Sequence, residues 1–221
     1  MAENKAKMPL SPLFSTPFYK TLMGFERGRK DIRDYLISCE TEGFRNKDSP
    51  QAAHKQVFES QFDLLKWPNP NIQAFKQKLY DHIMQYIAVV NGFDTAALNK
   101  LNFKSESWFH ITRSGGYFQP HTHPLASVSL IYCVDPGDEN IENQHEAGQV
   151  MFSDPRYNAS MFLDPANRNM QRAFSFDGIK FRLRPDELCI FPSYLQHSVE
   201  PYIGDRPRIT IAANFSFHFS T

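Results

Sequence analysis

The sequence predicts an α+β protein that is mainly β, on three observations. Apolar residues recur at helical spacing in two segments before about residue 100. Beyond that point the apolar period switches to two. The period-two segments are short and are separated by turn chemistry every ten or so residues, a pattern of sandwiches, barrels and jelly rolls.

Taken in order, "LFSTPFYKTLM" reads as a short leading strand. "GRKDIRDYLISCETEG" places Ile32, Tyr35, Leu36 and Cys39 on one helical face, with Gly43 as the stop. "RNKDSPQAAHKQVFESQ" is polar and carries no assignable period. The next segment, "NPNIQAFKQKLYDHIMQYIAVVNG", is the clearest helix. Ile72, Phe75, Leu79, Ile83, Tyr86, Ile87 and Val90 form its stripe; Asn71 is placed to cap its start, and Asn91-Gly92 ends it. Strands follow in "SESWFHITR", "LASVSLIYCV", "GQVMFSDP", "AFSFDGIKFRLRP", "ELCIFPS", "HSVEPY" and "RITIAANFSFHF". "PGDEN", "DG", "PDE" and "GDRP" supply turns between them.

The two helices are expected to cover one sheet face. No linker separates the halves, so residues 1–221 read as a single domain, with 1–100 a helical N-terminal support and 101–221 the β core. A chain of 221 residues suffices for one sizeable core, and its 20 phenylalanines predict an aromatic one.

Charge excludes one class of function. Twenty-four basic side chains balance 24 acidic ones, so the footprint of a general nucleic-acid binder is missing. Cys39, Cys133 and Cys189 are odd in number and widely spaced, which reads as buried free thiols of a reducing compartment. "MAENKAKMPLSP" has no apolar signal core, and no apolar run reaches membrane-spanning length. The expected location is therefore cytoplasmic.

The chemistry concentrates in "GGYFQPHTHP", residues 115–124. His121 and His123 are one residue apart between prolines. In an extended segment both imidazoles leave the same side, which suggests a metal. His197, in "FPSYLQHSVEP", follows an apolar strand and a turn and is the natural third imidazole. Neutral imidazoles suit iron, zinc, copper or nickel, and a three-ligand face leaves positions open. A lone H-x-H also arises by chance. His54, His82 and His145 read as solvated, and His110 and His218 as ordinary strand histidines. Asp154 in "FSDPR" reads as a turn residue, though its carboxylate is an alternative ligand. The last strand has one fully apolar parity, Ile209 to Phe219, and one that begins Arg208, Thr210, Ala212, Asn214. That second face is either solvated or lines a polar cavity.

The order of these pieces resembles the core of the Fe(II)/2-oxoglutarate-dependent dioxygenases, with the prolyl-hydroxylase-like branch closest in pattern. That family carries H-x-D on one strand, a distal His later, and an Arg eleven positions beyond it in R-x-S. Here His121 matches the first His and His197 the distal one. Arg208 lies 208 − 197 = 11 positions on, and Arg208-Ile209-Thr210 stands as R-x-T. "LCIFPSYLQHSVEP" is similar to the family's passage around its distal His. The chain also resembles a group of bacterial and phage-type oxygenases marked by H-x-H-P and F-P-S-x-L-x-H-x-V. The resemblance is specific over residues 106–215. The departure is His123, which stands where the family has its acidic ligand. Two histidines and one carboxylate leave Fe(II) one net positive charge; three histidines leave two.

The resemblance implies a double-stranded β-helix (jelly roll) with the N-terminal helices packed on one sheet. It implies an oxygenase that couples oxidative decarboxylation of 2-oxoglutarate to oxidation of a small-molecule or side-chain substrate. His121, His123 and His197 would hold Fe(II), with Asp154 the alternative to His123. Arg208 would bind the distal carboxylate of 2-oxoglutarate, Thr210 would add a hydroxyl, and Ser129 is a further candidate. Two rivals stand beside this: a cupin-like three-histidine enzyme that does not use 2-oxoglutarate, and a binding jelly roll with a vestigial site. No membrane partner is implied, and a homodimer is left open.

Overall fold

The computed structural model describes residues 11–47, 56–138, 147–156, 164–166, 168–175 and 178–220. The protein is mainly β, with two antiparallel sheets and a helical layer. The elements run β1 (Tyr19–Leu22), α1 (Glu26–Ser38), β2 (Val57–Glu59), α2 (Pro70–Asn91), α3 (Thr95–Leu98), β3 (Leu101–Thr112), β4 (Phe118–His121), β5 (Val128–Asp135), β6 (Val150–Phe152), β7 (Ile179–Phe181), β8 (Glu187–Pro192), β9 (His197–Val199) and β10 (Arg208–Phe219). The larger sheet has the order β1-β8-β5-β10-β3-β2 and the smaller β4-β9-β6-β7.

The N-terminal hundred residues are more than helical support. β1 and β2 form the two edges of the larger sheet. β2 lies in the polar stretch that carries no assignable period. Its three residues are all buried because β3 pairs with them. Helix α1 ends at Ser38 with Cys39 as its cap, short of Gly43. Helix α2 is capped by Asn69, whose side chain accepts from the backbone N–H groups of Asn71 and Ile72; the cap is thus two residues before the expected Asn71. Pro70 then occupies the first turn, where its missing N–H costs nothing. Gly92, at φ 67°, closes the helix in the left-handed conformation.

The apolar stripe of α2 is buried from Ile72 to Ile87, whereas Val90 is exposed. It packs with Ile32 and Leu36 of α1 on the apolar parity of β10 (Ile209, Ile211, Ala213, Phe215) and on Phe109, Ile111, Leu130 and Tyr132. A second core fills the space between the two sheets: Val57, Phe118, Ile131, Cys133, Val150, Phe152, Cys189, Phe191 and Val199. Both cores are rich in phenylalanine. All three cysteines are free and buried. In the segment read as one long strand, Ala173 and Phe174 lie in a turn, and among its described residues only Ile179–Phe181 is strand. Among the described residues no helix is long and apolar enough to cross a membrane.

Candidate metal and cosubstrate site

The smaller sheet brings two of the histidines together by register. β4 and β9 pair antiparallel with His121 directly opposite His197. Their ring centroids lie 4.4 Å apart. His123 lies just past the end of β4, where its backbone N–H donates to the carbonyl of Ser193 at 3.0 Å. This turn carries its ring to 5.2 Å from His121 and 5.3 Å from His197. One ligand atom from each of the three falls within 4.8 Å of the others, the one such grouping of metal-ligating side chains among the described residues.

Hydrogen bonds orient two of the rings. His121 Nδ1 lies 2.7 Å from the carbonyl of Gln119, and His197 Nδ1 lies 3.0 Å from that of Leu195. A carbonyl only accepts, so each neutral ring keeps its proton on Nδ1 and presents the Nε2 lone pair to the shared space. Phe152 stacks on His197 at 5.7 Å and Phe191 meets it edge-on at 5.0 Å. Burial lowers the pKa of all three histidines, with mutual repulsion adding to it for His123 and His197. His123 falls to about 4 and His197 to about 3. His123 and His197 are therefore neutral, the form that ligates, well below pH 7.

Asp154 is placed elsewhere. Its carboxylate accepts from the Arg156 side chain, at 2.9 Å from Nε, and from the Arg156 backbone. This pairing holds its pKa below the usual carboxylate value. Asp154 thus belongs to its own ion pair and lies outside the histidine grouping.

The polar parity of β10 faces the space between the sheets, since Thr210 and Ala212 are in register with Cys133 and Ile131 of the second core. Arg208 and Thr210 are each 3% exposed, and Ala212 is 8% exposed. Arg208 Nη2 is buried with no hydrogen-bond partner. The titratable groups that act on this guanidinium are Cys133, Tyr202 and Arg182, with no carboxylate among them, and burial lowers its pKa. A buried cation in such surroundings fits an anion, because an uncompensated interior charge is costly. Ser129, on β5, lies further along the sheet from Arg208. It pairs with Asn214, six residues along β10 from Arg208, and its hydroxyl lies between Ser193 and Asn214. The structure therefore brings together the three histidines, and Arg208 with Thr210, but it does not bring Ser129 to Arg208.

Sequence reasoning missed one cluster on the cavity wall. Glu59 Oε2 on β2 lies 2.8 Å from His110 Nε2, and Trp108 Nε1 lies 3.0 Å from the same nitrogen. Trp108 in turn reaches within 5.9 Å of the His123 ring. His110 is thus partnered by a carboxylate, not an ordinary strand histidine. The signal was its shared parity with Trp108 on β3. Glu59 itself lay in the polar stretch that showed no period. His82 is likewise not solvated: Tyr19 Oη lies 2.8 Å from its Nδ1 and the Met23 carbonyl 3.2 Å from its Nε2. His54 and His145 lie outside the described residues.

Comparison with known proteins places this geometry. Residues 106–214 match the family model described as "Putative 2OG-Fe(II) oxygenase". No curated protein matches the chain. Among solved structures, a Pseudomonas putida prolyl-4-hydroxylase is similar with TM-score 0.56 at 14% identity, over 91% of this chain and 92% of its own. A prolyl hydroxylase from Trichoplax adhaerens, solved with a hypoxia inducible factor peptide fragment, gives 0.58 at 13% identity, over 90% and 82%. HygX from Streptomyces hygroscopicus, solved with nickel and 2-oxoglutarate, gives 0.55 at 12% identity, over 91% and 83%.

Proposed function

The chain belongs to the 2OG-Fe(II) oxygenase family through residues 106–214, and from that premise we propose how its own residues serve an Fe(II)- and 2-oxoglutarate-dependent oxidation. The fold in this reading is a double-stranded β-helix within a single domain, with α1 and α2 on the outer face of the larger sheet. Two facing antiparallel sheets with a core between them support it.

His121, His123 and His197 would hold Fe(II). Two of them present Nε2 because a backbone carbonyl occupies Nδ1. When bound, Fe(II) and 2-oxoglutarate supply the oxidative decarboxylation that is coupled to oxidation of the substrate. Arg208 would bind the distal carboxylate of 2-oxoglutarate, its planar fork matching two carboxylate oxygens. Thr210 shares that face. Phe152, Phe191 and Val199 keep the space beside the triad apolar and exclude water. The substrate is a small molecule or a polypeptide side chain; the Trichoplax enzyme provides the peptide precedent.

One observation carries the cosubstrate assignment: a buried guanidinium nitrogen without a partner, on the cavity face of the strand that follows His197. The test is anaerobic loading with Fe(II), then addition of oxygen with and without 2-oxoglutarate, with succinate measured. Succinate that requires both Fe(II) and 2-oxoglutarate supports the reading. Stoichiometric metal with no succinate and no 2-oxoglutarate binding would favour a three-histidine enzyme of another kind. Failure to hold metal would favour a vestigial site.

A further inference from the structure

We propose that Thr112, a residue outside the R-x-T segment, is the second anchor of the cosubstrate carboxylate, and that Gly116 fixes its aim. The inference rests on the cosubstrate reading above and adds a residue to it.

Three buried side-chain polar atoms lack a hydrogen-bond partner among the described residues: Arg29 Nε, Thr112 Oγ1 and Arg208 Nη2. Two of the three are neighbours. Thr112 is the last residue of β3 and Arg208 the first of β10, and the two are directly opposite in register. Directly opposed residues on one sheet face place their Cβ atoms roughly 5 Å apart. That face is the cavity face, because Val57, the partner of Thr112 on the other side, belongs to the inter-sheet core. Thr112 is fully buried. Orphaned buried hydroxyls are rare, since each forfeits a hydrogen bond that water would have given. A hydroxyl and a guanidinium nitrogen left unpaired side by side match what one carboxylate accepts: an O–H and an N–H donor from adjacent strands. Thr210, the hydroxyl that the R-x-T pattern indicates, lies two residues further along β10 and is opposite His110 in register.

The rotamer of Thr112 is constrained by the first glycines of the "GGYFQPHTHP" run. A Cβ built on Gly116 would lie 2.7 Å from Thr112 Cγ2 and 3.0 Å from the carbonyl oxygens of Arg113 and Gln56. Two of those three contacts are backbone and cannot yield cheaply. The methyl of Thr112 thus occupies the room that the missing side chain leaves. A β-branched residue has few χ1 choices, so seating its methyl also fixes its hydroxyl. Gly116 would thereby act on the cosubstrate through Thr112, while the histidines five and seven residues later serve the metal. The glycine run and the H-x-H that follows it would serve opposite ends of one bound molecule.

The test is calorimetric titration of 2-oxoglutarate into anaerobic Ni(II)-loaded protein. Thr112→Val keeps the shape and removes the hydroxyl; it is expected to weaken binding roughly tenfold, with nickel content unchanged. Thr112→Ser should restore most of the affinity, and Thr210→Val should cost less than Thr112→Val. Gly116→Ala should weaken 2-oxoglutarate binding while retaining nickel, provided its circular dichroism matches wild type. Equal affinities for wild type and Thr112→Val, with Arg208→Ala impaired, would overturn the Thr112 assignment and leave the cosubstrate reading standing. A wild-type protein that holds nickel but shows no 2-oxoglutarate binding would overturn both.

Discussion

His121 and His197 face each other across the β4–β9 pair, in register and with ring centroids 4.4 Å apart. Two ligands are thus set by strand pairing, and the third by a turn. His123 reaches the same space because its backbone is tied to Ser193, four residues before His197.

His123→Ala should strip metal as fully as His121→Ala or His197→Ala, while Asp154→Ala leaves metal bound. Asp154 is held by Arg156, so freeing it for the metal would sacrifice that pair. Metal analysis of the four purified variants decides. A filled site in His123→Ala together with an empty one in Asp154→Ala would restore the two-histidine, one-carboxylate arrangement.

Arg208→Ala should weaken 2-oxoglutarate binding by about 1.5–3 kcal/mol, the usual range for a hydrogen bond to a charged group. Arg208→Lys should recover only part of this, because a single ammonium cannot bridge two carboxylate oxygens as a planar fork does. Titration against wild type checks both. A lysine variant that binds as tightly as wild type would show that charge alone, without the fork, suffices.

Metal-free protein should lose stability in acid. The folded-state pKa of His197 is lowered to about 3 and that of His123 to about 4, both below the ordinary 6.5. The unfolded chain therefore binds more protons between these values, and stability is lost as pH falls from 6.5 toward 3. At pH 5 the loss from His197 alone is about 2 kcal/mol. Urea unfolding of metal-free protein at pH 7, 6 and 5 measures it. His197→Asn should flatten the dependence; an equally steep loss in that variant would place its origin elsewhere.

Leu79→Ala should cost about 2–5 kcal/mol of stability, as its side chain is fully buried against the larger sheet. Metal content per folded molecule should not change. A variant that unfolds like wild type but holds less metal would show that α2 helps to shape the site.

Much of this was legible in the sequence because the strands are strictly periodic. β10 alternates so regularly that its apolar and polar faces could be read residue by residue, whereas whether the polar face met solvent or the second sheet stayed open because that depends on tertiary packing. The 3.6-residue stripe of α2 announced a buried face in the same way. Legibility failed where tertiary pairing overrides local pattern. β2 is three residues in a polar stretch and exists because β3 offers it an edge. The Glu59–His110 contact depends on that pairing and was invisible for the same reason. The cap of α2 was misplaced by two residues because two asparagines flank Pro70, and only the first can precede a proline at the start of the helix. Ser129 was a candidate for its place on the strand after the H-x-H, and register sets it opposite Asn214, six residues along β10 from Arg208.

The pairing of β4 with β9 also has a consequence for how the protein acquires its metal. The two facing ligands are 197 − 121 = 76 positions apart in the chain. Closing so long a loop costs entropy that a pair of imidazoles cannot recover alone. In the smaller sheet β4 and β9 are immediate neighbours, with β6 on the far side of β9. A metal held by all three histidines would therefore tie together two segments that are distant in the chain. Its uptake would report that β4 has met β9, since before that pairing only His121 and His123, two neighbouring imidazoles of one segment, would be on offer.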